Sequence, residues 1–224
     1  MKIGIILAVE LQAILEHYPQ MKEVSTTTAF RLFKVNEQNH EIFILQTGVG
    51  LVYASSGTQY LISSCHVEMI INYGVVGALV KEMNKYQVAV VKEVIHSGYD
   101  CSDFENVKPA QICGRDEINI PLSSFLIEKA LKVNPSLKKV VCTSSDRFIE
   151  STEEKTMLHN KFNADICDME IAGITLTCIA NNIPMLSLKA VSDALSEGAN
   201  EYKQNYNKAA KACLDTIDGI LANI

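Results

Sequence analysis

The amino-acid sequence predicts an α/β protein, a three-layer αβα sandwich built on a central mixed β-sheet. Strand-like segments alternate with segments of helical periodicity along the whole chain, and such alternation places helices on both faces of a sheet. Residues 2–9 (KIGIILAV) are nearly all apolar, which is typical of a strand covered on both faces. The polar segment "NEQNH" joins two strand-like segments, which indicates a hairpin and therefore some antiparallel pairing.

The remaining elements follow from the same two periodicities. The predicted strands share short apolar or β-branched runs and are residues 2–9, 28–35, 41–47, 67–73, 87–95, 139–143, 165–167 and 185–191. The predicted helices share apolar residues three and four apart and are residues 11–17, a segment within 48–65, and residues 121–132, 153–163, 169–181 and 201–224. No internal repeat and no flexible linker divides the chain, so residues 1–224 are expected to form a single domain.

The charge and the cysteines argue against several classes of function. A net charge of −6 and only three arginines disfavour a nucleic-acid partner, because phosphate backbones are bound by clustered Lys and Arg. The seven cysteines are scattered without a Cys-x-x-Cys pair, which favours reduced thiols in the cytoplasm over a disulfide framework or a zinc site. No stretch approaches the ~20 apolar residues that a membrane span requires, so no membrane partner is expected.

The motifs for cofactors and metals are weak or absent. "GVGLVY" has the first two glycines of a dinucleotide fingerprint but Tyr53 at the position of the third, and a lone G-x-G is weak support for a nicotinamide cofactor. Neither a phosphate-binding Walker sequence nor a G-x-S-x-G nucleophile elbow is present. The five histidines lack metal-ligand spacing. The sequence therefore predicts no cofactor and no metal.

The functional signal lies where the predicted strands end, because ligands of open α/β sheets bind outside the carboxyl ends of the strands. These junctions are "AVELQ", "TGVG", "YGVVG", "SSDRFIE", "CDME" and "VSDALSE", most of which contain a carboxylate or a Gly-rich bend. Purely structural roles remain open for the carboxylates. Asp168 and Glu170 suit the start of a helix, Asp193 suits a turn, and Asp146 is better explained as a residue that orders its loop.

The order of these junctions resembles one family over nearly the whole chain. "TGVGLVYAS", "IINYGVVGAL" and "SSDRFI" are similar to "SGIGKVxAA", "xINxGxAGxL" and "SGDxFI", and the more specific "DMEIAGI" and "LKAVSD" are similar to "xMExAAI" and "xRxISD". This pattern resembles the purine nucleoside phosphorylase and nucleosidase superfamily, and within it the bacterial 5'-methylthioadenosine/S-adenosylhomocysteine nucleosidases. The resemblance implies a nucleoside phosphorylase-like fold, a small purine nucleoside as substrate and a homodimer.

The resemblance also implies hydrolysis of the N-glycosidic bond with Asp193 as general acid. In the family this aspartate donates a proton to purine N7, so that the base leaves uncharged, and Ser192 helps to place it. A general acid needs a raised pKa to hold its proton near neutral pH, and desolvation at an apolar strand end can supply it.

The substrate contacts follow from the same resemblance. Glu170 is expected to bind the ribose 2'- and 3'-hydroxyls, with Met169 against the sugar face. Phe148 is expected to stack on the base, while backbone groups of Ile149 read the purine edge. The stretch "HSGYDCSDF" resembles a segment that crosses the dimer interface in the family, so Phe104 is expected to cover the 5'-substituent in the neighbouring subunit.

Two departures from the family pattern fall at the reacting centre. The nucleosidases have a glutamate two residues after the position of Glu10, where it takes the proton of the attacking water, and this chain has Gln12. An amide can hold a water but cannot accept its proton, and loss of a general base costs ~10²- to 10⁴-fold in rate. With Gln12 in the catalytic set, slowed hydrolysis and a gain on Gln12→Glu are expected.

The second departure concerns the wall of the expected ribose site. Val75, Val76 and Gly77 are expected to contact the substrate, and the two valines replace a small Ser-Ala pair, which makes this wall bulkier and less polar. Two alternatives to hydrolysis stay open. A phosphorylase needs cations for phosphate, yet both Gly-rich stretches lack arginine and Lys189 stands where the family often has Arg. A nucleoside-binding relative that has lost turnover would keep the pocket with Gln12 in place of the base.

Overall fold

Strands and helices alternate along the chain in the computed structural model, which describes residues 1–26, 30–104 and 106–224. The strands are β1 (Lys2–Leu7), β2 (Lys22–Thr26), β3 (Arg31–Glu37), β4 (His40–Gln46), β5 (Met69–Ala78), β6 (Val88–His96), β7 (Asn119–Pro121), β8 (Lys138–Ser144), β9 (Ile166–Asp168) and β10 (Met185–Asp193). The helices are α1 (Leu11–His17), α2 (Leu51–Cys65), α3 (Ser124–Val133), α4 (Thr152–Phe162), α5 (Ile171–Ala180) and α6 (Ala199–Leu221).

The strands of the described residues form one mixed sheet in the order β10, β6, β8, β9, β5, β1, β4, β3, β2, with β7 paired to β6. β1 lies between β4 and β5 and is parallel to both, whereas β3 pairs antiparallel with β2 and with β4. The β3–β4 hairpin turns on Gln38 (φ 49°) and Asn39 (φ 63°), both in the left-handed region that two-residue hairpins favour. The predicted mixed sheet and the "NEQNH" hairpin are therefore confirmed.

Part of the sheet closes into a ring, a feature that the sequence pattern does not predict. β10 pairs with β5 and β6, and β5 also pairs with β9, so that β5, β10, β6, β8 and β9 are joined in a circle. A register shift between Val191 and Asp193 leaves Ser192 as the extra residue of a β-bulge. Bulges redirect the side chains beside them, and this one sets Asp193 opposite Gly77 of β5.

Helices cover both sides of the sheet. α6 packs on β10 and β5 and contacts α1 and α3, whereas α2 packs on β1 and β4 and contacts α5. All residues of β10 are buried, so its polar side chains need internal partners; Ser187, for example, donates to Asn72 Oδ1 at 2.9 Å. The predicted three-layer arrangement with a central mixed sheet is confirmed.

Several element boundaries differ from the predicted ones. β2 is not predicted, because its sequence KEVST is too polar to stand out. The predicted strand 28–35 corresponds to β3, and its residues 28 and 29 lie outside the described residues. The predicted helix 121–132 begins at Ser124, because Pro121 still pairs with β6 as part of β7. Within the described ranges, no helix has both the length and the apolar character that crossing a bilayer requires.

Candidate active site

A cavity of about 360 Å³ opens where β1, β5, β8, β9 and β10 end, a size typical of small-molecule sites. Most of the sequence-predicted site residues line it, namely Asp193, Ser192, Glu170, Met169, Phe148, Ile149, Val75, Val76 and Gly77. Gln12 and Phe104 do not. The fold therefore brings together strand ends that are far apart in the sequence, as expected for an α/β sheet.

Asp193 ends β10 as a buried carboxyl group, with 2% of its surface exposed. Its Oδ2 accepts a hydrogen bond from Lys155 Nζ at 2.7 Å, and its Oδ1 accepts one from Ser192 Oγ at 2.8 Å. Burial raises the pKa of Asp193 above its usual value, although the Lys155 ammonium and the Ser192 hydroxyl oppose this change. Asp193 can thus hold a proton closer to neutral pH than a surface aspartate can.

Gly77 allows the Asp193 carboxyl group to approach β5. A Cβ atom at position 77 would lie 3.0 Å from Asp193 Oδ2 and 3.1 Å from Cys167 Sγ, closer than side chains normally pack. Cys167 also lines the cavity, and burial raises the pKa of its thiol to about 12. Because the thiolate is the nucleophilic form, Cys167 is not a candidate nucleophile.

Glu170 immediately precedes α5 and has its carboxyl group in the cavity wall. Its Oε1 accepts a hydrogen bond from the Gly50 N–H at 3.0 Å, and its Oε2 accepts one from the Met169 N–H at 3.3 Å. Burial, followed by repulsion from Asp168, raises the pKa of Glu170 to about 7. Gly50 has a φ of 109°, a backbone conformation that strains any residue with a side chain. Glycine therefore lets the bend direct its N–H group at the Glu170 carboxylate.

Asp146 and Asp168, two other carboxylates at strand ends, make the hydrogen bonds expected if they order a loop or the start of a helix. Asp146 is exposed, and its Oδ1 accepts a hydrogen bond from the Leu51 N–H at the start of α2 (2.6 Å). Asp168 accepts one from the Ile171 N–H at the start of α5 (3.1 Å) and also pairs with Lys189 Nζ at 3.2 Å. Asp146 therefore orders its loop, whereas Asp168 both supports α5 and lines the cavity.

Lys189 is a buried cation among three carboxylates that line the cavity. Burial by itself lowers the pKa of Lys189, but Asp168, Glu170 and Glu10 outweigh burial and raise it overall. One ammonium group cannot neutralise three carboxylates when all are ionised. This part of the cavity therefore favours a ligand atom that carries positive charge and disfavours an anion.

Glu10, not Gln12, lies in the cavity. Gln12 is exposed on α1, where its Nε2 donates to Glu16 Oε1 at 2.7 Å. Glu10 is 4% exposed, and it accepts hydrogen bonds from the backbone N–H groups of Val9 (2.9 Å) and Val75 (3.1 Å). This corrects the sequence-based placement of Gln12, because two positions so close together at the start of a helix face in different directions.

An aromatic pair forms another wall of the cavity. The rings of Phe148 and Tyr202 meet edge to face with their centroids 5.6 Å apart, and both residues line the cavity together with buried Ile149. Tyr202 comes from α6 and has no counterpart among the sequence-predicted site residues. Its only sequence signal is its place on the apolar stripe of an amphipathic helix, which more often indicates packing.

Similarity to known proteins agrees with this geometry. The family model described as the phosphorylase superfamily matches residues 2–222. The chain belongs to the phosphorylase superfamily. The match spans β1 to α6, so every element that contributes to the cavity lies within the superfamily domain.

The relatives of this chain match it over nearly its whole length. The 5'-methylthioadenosine/S-adenosylhomocysteine nucleosidase of Staphylococcus aureus (strain JH9) is 29% identical over 230 residues, covering 99% of this chain and 100% of the relative. The native futalosine hydrolase of Helicobacter pylori strain 26695 superposes with a TM-score of 0.93 at 26% identity, over 100% of this chain and 98% of that chain. The Helicobacter pylori 5'-methylthioadenosine/S-adenosyl homocysteine nucleosidase, in complex with a pyrrolopyrimidine compound, also superposes with a TM-score of 0.93. Its identity to this chain is 25%, over 100% of this chain and 99% of that chain.

A phosphorylase superfamily member that uses phosphate needs cations that are free to bind it. In the described part of the chain, Arg147 is the cation that lines the cavity, and Lys189 is buried behind its wall. Arg147 Nη1 pairs with Glu154 Oε1 at 2.6 Å, and Lys189 pairs with Asp168. No group of three or more His, Cys, Asp or Glu side chains in the described ranges is arranged to hold a metal ion. The charged groups around the cavity therefore suit acid–base chemistry by carboxyl groups better than the binding of an anion.

Proposed function

We propose that this chain hydrolyses the N-glycosidic bond of purine nucleosides of the 5'-methylthioadenosine and S-adenosylhomocysteine class. The observation that carries the proposal is the presence of two buried carboxyl groups, Asp193 and Glu10, at the ends of two strands that line one cavity. An acid and a base, each formed by a carboxyl group, are the usual equipment for cleaving a glycosidic bond. The names of the relatives, nucleosidase and hydrolase, support the same reaction class.

In the proposed reaction Asp193 acts on the leaving base and Glu10 acts on water. The bond between C1' and the purine nitrogen breaks, and its electron pair leaves with the base while the Asp193 proton moves to N7. The water oxygen bonds to C1' while Glu10 takes one of the water protons. The products are a neutral purine and a sugar with a hydroxyl group on C1', so that atoms and charges balance.

The charge around the sugar site supports water rather than phosphate as the nucleophile. Glycosidic cleavage passes through a sugar with cationic oxocarbenium character. The carboxylates of Glu10, Asp168 and Glu170 exceed the single positive charge of Lys189, so they favour that cation and repel an incoming phosphate. Arg147, the cation in the described lining, is paired with Glu154, so the lining offers no unpaired cation for a phosphate clamp.

The proposed substrate contacts follow the chemistry of the walls. A purine stacks on the half-exposed ring of Phe148, next to Tyr202, because flat aromatic surfaces suit a planar base. Backbone groups of Ile149 read the edge of the base. Glu170 accepts hydrogen bonds from the ribose hydroxyls, and Met169 packs against the sugar. All seven cysteines are free thiols, which supports a cytoplasmic location for the reaction.

The products of methylthioadenosine, adenosine and inosine, each incubated with and without phosphate, test the proposed reaction. We expect free base and free sugar at equal rates under both conditions, with methylthioadenosine preferred. Chromatography of the base and a reducing-sugar assay measure both products. Sugar 1-phosphate that forms only with phosphate would contradict hydrolysis, and binding without any product would favour a nucleoside-binding relative.

We further propose a homodimer in which Phe104 completes the partner's cavity. Phe104 is 87% exposed and does not line the cavity of its own chain. α2 and α5 pack together and leave Val52, Tyr53 and Ile179 exposed. Large apolar side chains that are exposed on two packed helices suit a surface that another protein covers.

A mixture of two variants tests the contribution of Phe104 from the partner subunit. Phe104→Ala is expected to raise KM for methylthioadenosine about tenfold with little change in kcat, the usual effect of losing one aromatic contact. Phe125→Ala is the matched control, because Phe125 is also an exposed phenylalanine but lies on α3. Heterodimers of Phe104→Ala with inactive Asp193→Asn should regain one site with wild-type KM. A monomer in sedimentation analysis, or no recovery in the mixture, would contradict the proposal.

A further inference from the structure

Lys155 is a buried cation whose position the proposed reaction does not explain. Its side chain is 0% exposed, although it lies on α4, whose sequence TEEKTMLHNKF is largely polar. It does not line the cavity. Burying an ammonium group is costly unless the group is paired and fully hydrogen-bonded, so a lysine at this place needs a specific reason.

The contacts of the Lys155 ammonium group supply that reason. Its three hydrogens have three acceptors, which are Asp193 Oδ2 at 2.7 Å, the Ala194 carbonyl at 3.0 Å and the Glu197 carbonyl at 2.7 Å. The two carbonyls belong to the turn that follows β10. Lys155 therefore holds the proposed acid and the turn beside it from outside the cavity, while Ser192 holds the other carboxyl oxygen.

We propose that Lys155 is a positioning residue that stabilises the carboxylate which Asp193 becomes once its proton has moved to the purine. The inference rests on the proposed function. Burial alone would make Asp193 reluctant to release its proton, because the anion would be left in apolar surroundings. Negative charge that develops on Oδ2 instead meets an ammonium group already in place, where little water screens the attraction.

Five described side chains face Asp193, namely Lys155 from α4, Ser192 of β10, Glu197 from the following turn, Cys167 from β9 and Tyr202 from α6. Of these, only Lys155 can stabilise the Asp193 carboxylate with a positive charge. Glu197 carries the same sign of charge as the Asp193 anion and pairs with Lys85 Nζ at 2.7 Å. Cys167 is a neutral thiol, and burial raises the pKa of the Tyr202 hydroxyl, so both stay uncharged.

Two variants of Lys155 separate its charge from its hydrogen bonds. Lys155→Gln keeps N–H donors for the turn but removes the charge, whereas Lys155→Arg keeps the charge. Lys155→Gln is expected to lower kcat by roughly 10- to 100-fold with KM within about threefold of wild type. The high-pH decline of kcat/KM should also move upward by about one pH unit or more, because Asp193 without an adjacent cation keeps its proton to higher pH.

Lys155→Arg is expected to keep kcat within about tenfold of wild type and the high-pH decline in place. Lys161→Gln, an exposed change on the same helix, is the matched control and should leave every parameter unchanged. Folding of each variant is checked by circular dichroism and by adenine binding.

An unchanged kcat in Lys155→Gln would overturn the proposal. So would an equal loss at every pH, since that result would mean that Lys155 only tethers the turn. If Lys155→Gln does not fold, Lys155→Arg decides the question. A kcat within about tenfold of wild type, with the high-pH decline of kcat/KM unmoved, supports the proposal. A shifted decline, or a loss of kcat above about 100-fold in the folded variant, overturns it. A wild-type protein that cleaves no nucleoside would contradict the proposed function instead, so the two failures are distinguishable.

Discussion

Asp193→Asn is expected to lose roughly 10²- to 10⁴-fold in kcat for methylthioadenosine, the usual contribution of a general acid. The amide keeps the shape of the side chain and can still accept a hydrogen bond from Lys155, but it has no acidic proton to give to the purine. Steady-state release of adenine measures the loss. Retention of more than about a tenth of the wild-type kcat would refute Asp193 as the acid.

Asp165→Asn is the matched control for this variant. Asp165 also accepts a backbone hydrogen bond, from the Val141 N–H at 2.8 Å, but it lies outside the cavity. Its turnover should therefore equal that of the wild type. Asp193→Asn also changes the group that accepts a hydrogen bond from the buried Lys155 ammonium, so the free energy of unfolding can change as well. Thermal unfolding of both variants thus accompanies the activity assay.

Glu10→Gln is the second large effect, with an expected loss of about 10²- to 10⁴-fold in hydrolysis, because an amide cannot take a proton from water. Binding of adenine should remain close to that of the wild type, since Asp193 and Phe148 are untouched. The measurements are kcat for methylthioadenosine and the dissociation constant for adenine. A variant with wild-type kcat would show that water is activated elsewhere.

Gln12→Glu provides the contrast. The family pattern at this position predicts a gain in hydrolysis, but the structure places Gln12 on the exposed face of α1, bonded to Glu16. We therefore expect an unchanged rate. A gain of tenfold or more would mean that position 12 reaches the reacting centre, and it would displace Glu10 as the proposed base.

Local patterns in the sequence were sufficient for the fold class and for most of the cavity. The nearly continuous apolar run of β1 and the apolar residues that dominate the first seven positions of β10 mark strands covered on both faces, and this depends only on neighbouring residues. Carboxylates at strand ends were visible for the same reason, since parallel strands bring their carboxyl ends to one edge. Asp193 and Glu170 could thus be selected, although their roles as acid and ribose ligand remain predictions.

Boundaries and partners were less accessible from sequence. A shift of one or two residues at the start of α1 decides whether Glu10 or Gln12 faces the cavity, and a sequence pattern locates a helix start no more closely than that. The bond that holds the Glu10 carboxylate comes from the Val75 N–H, 65 residues away. The family pattern therefore pointed to Gln12. Lys155 gave no signal, because a lysine in a polar helix is normally solvated.

The sequence by itself determined the alternating elements, the buried strands and the set of acidic residues at their ends, because these follow from periodicity over a few residues. Only the tertiary structure decided which of these groups meet. The ring of β5, β10, β6, β8 and β9 and the bulge at Ser192 bring Asp193 to Gly77, and α4 places the Lys155 ammonium 2.7 Å from a carboxylate 38 residues away. Such pairings depend on long-range packing, which removes water from charged groups and makes their mutual distances decisive.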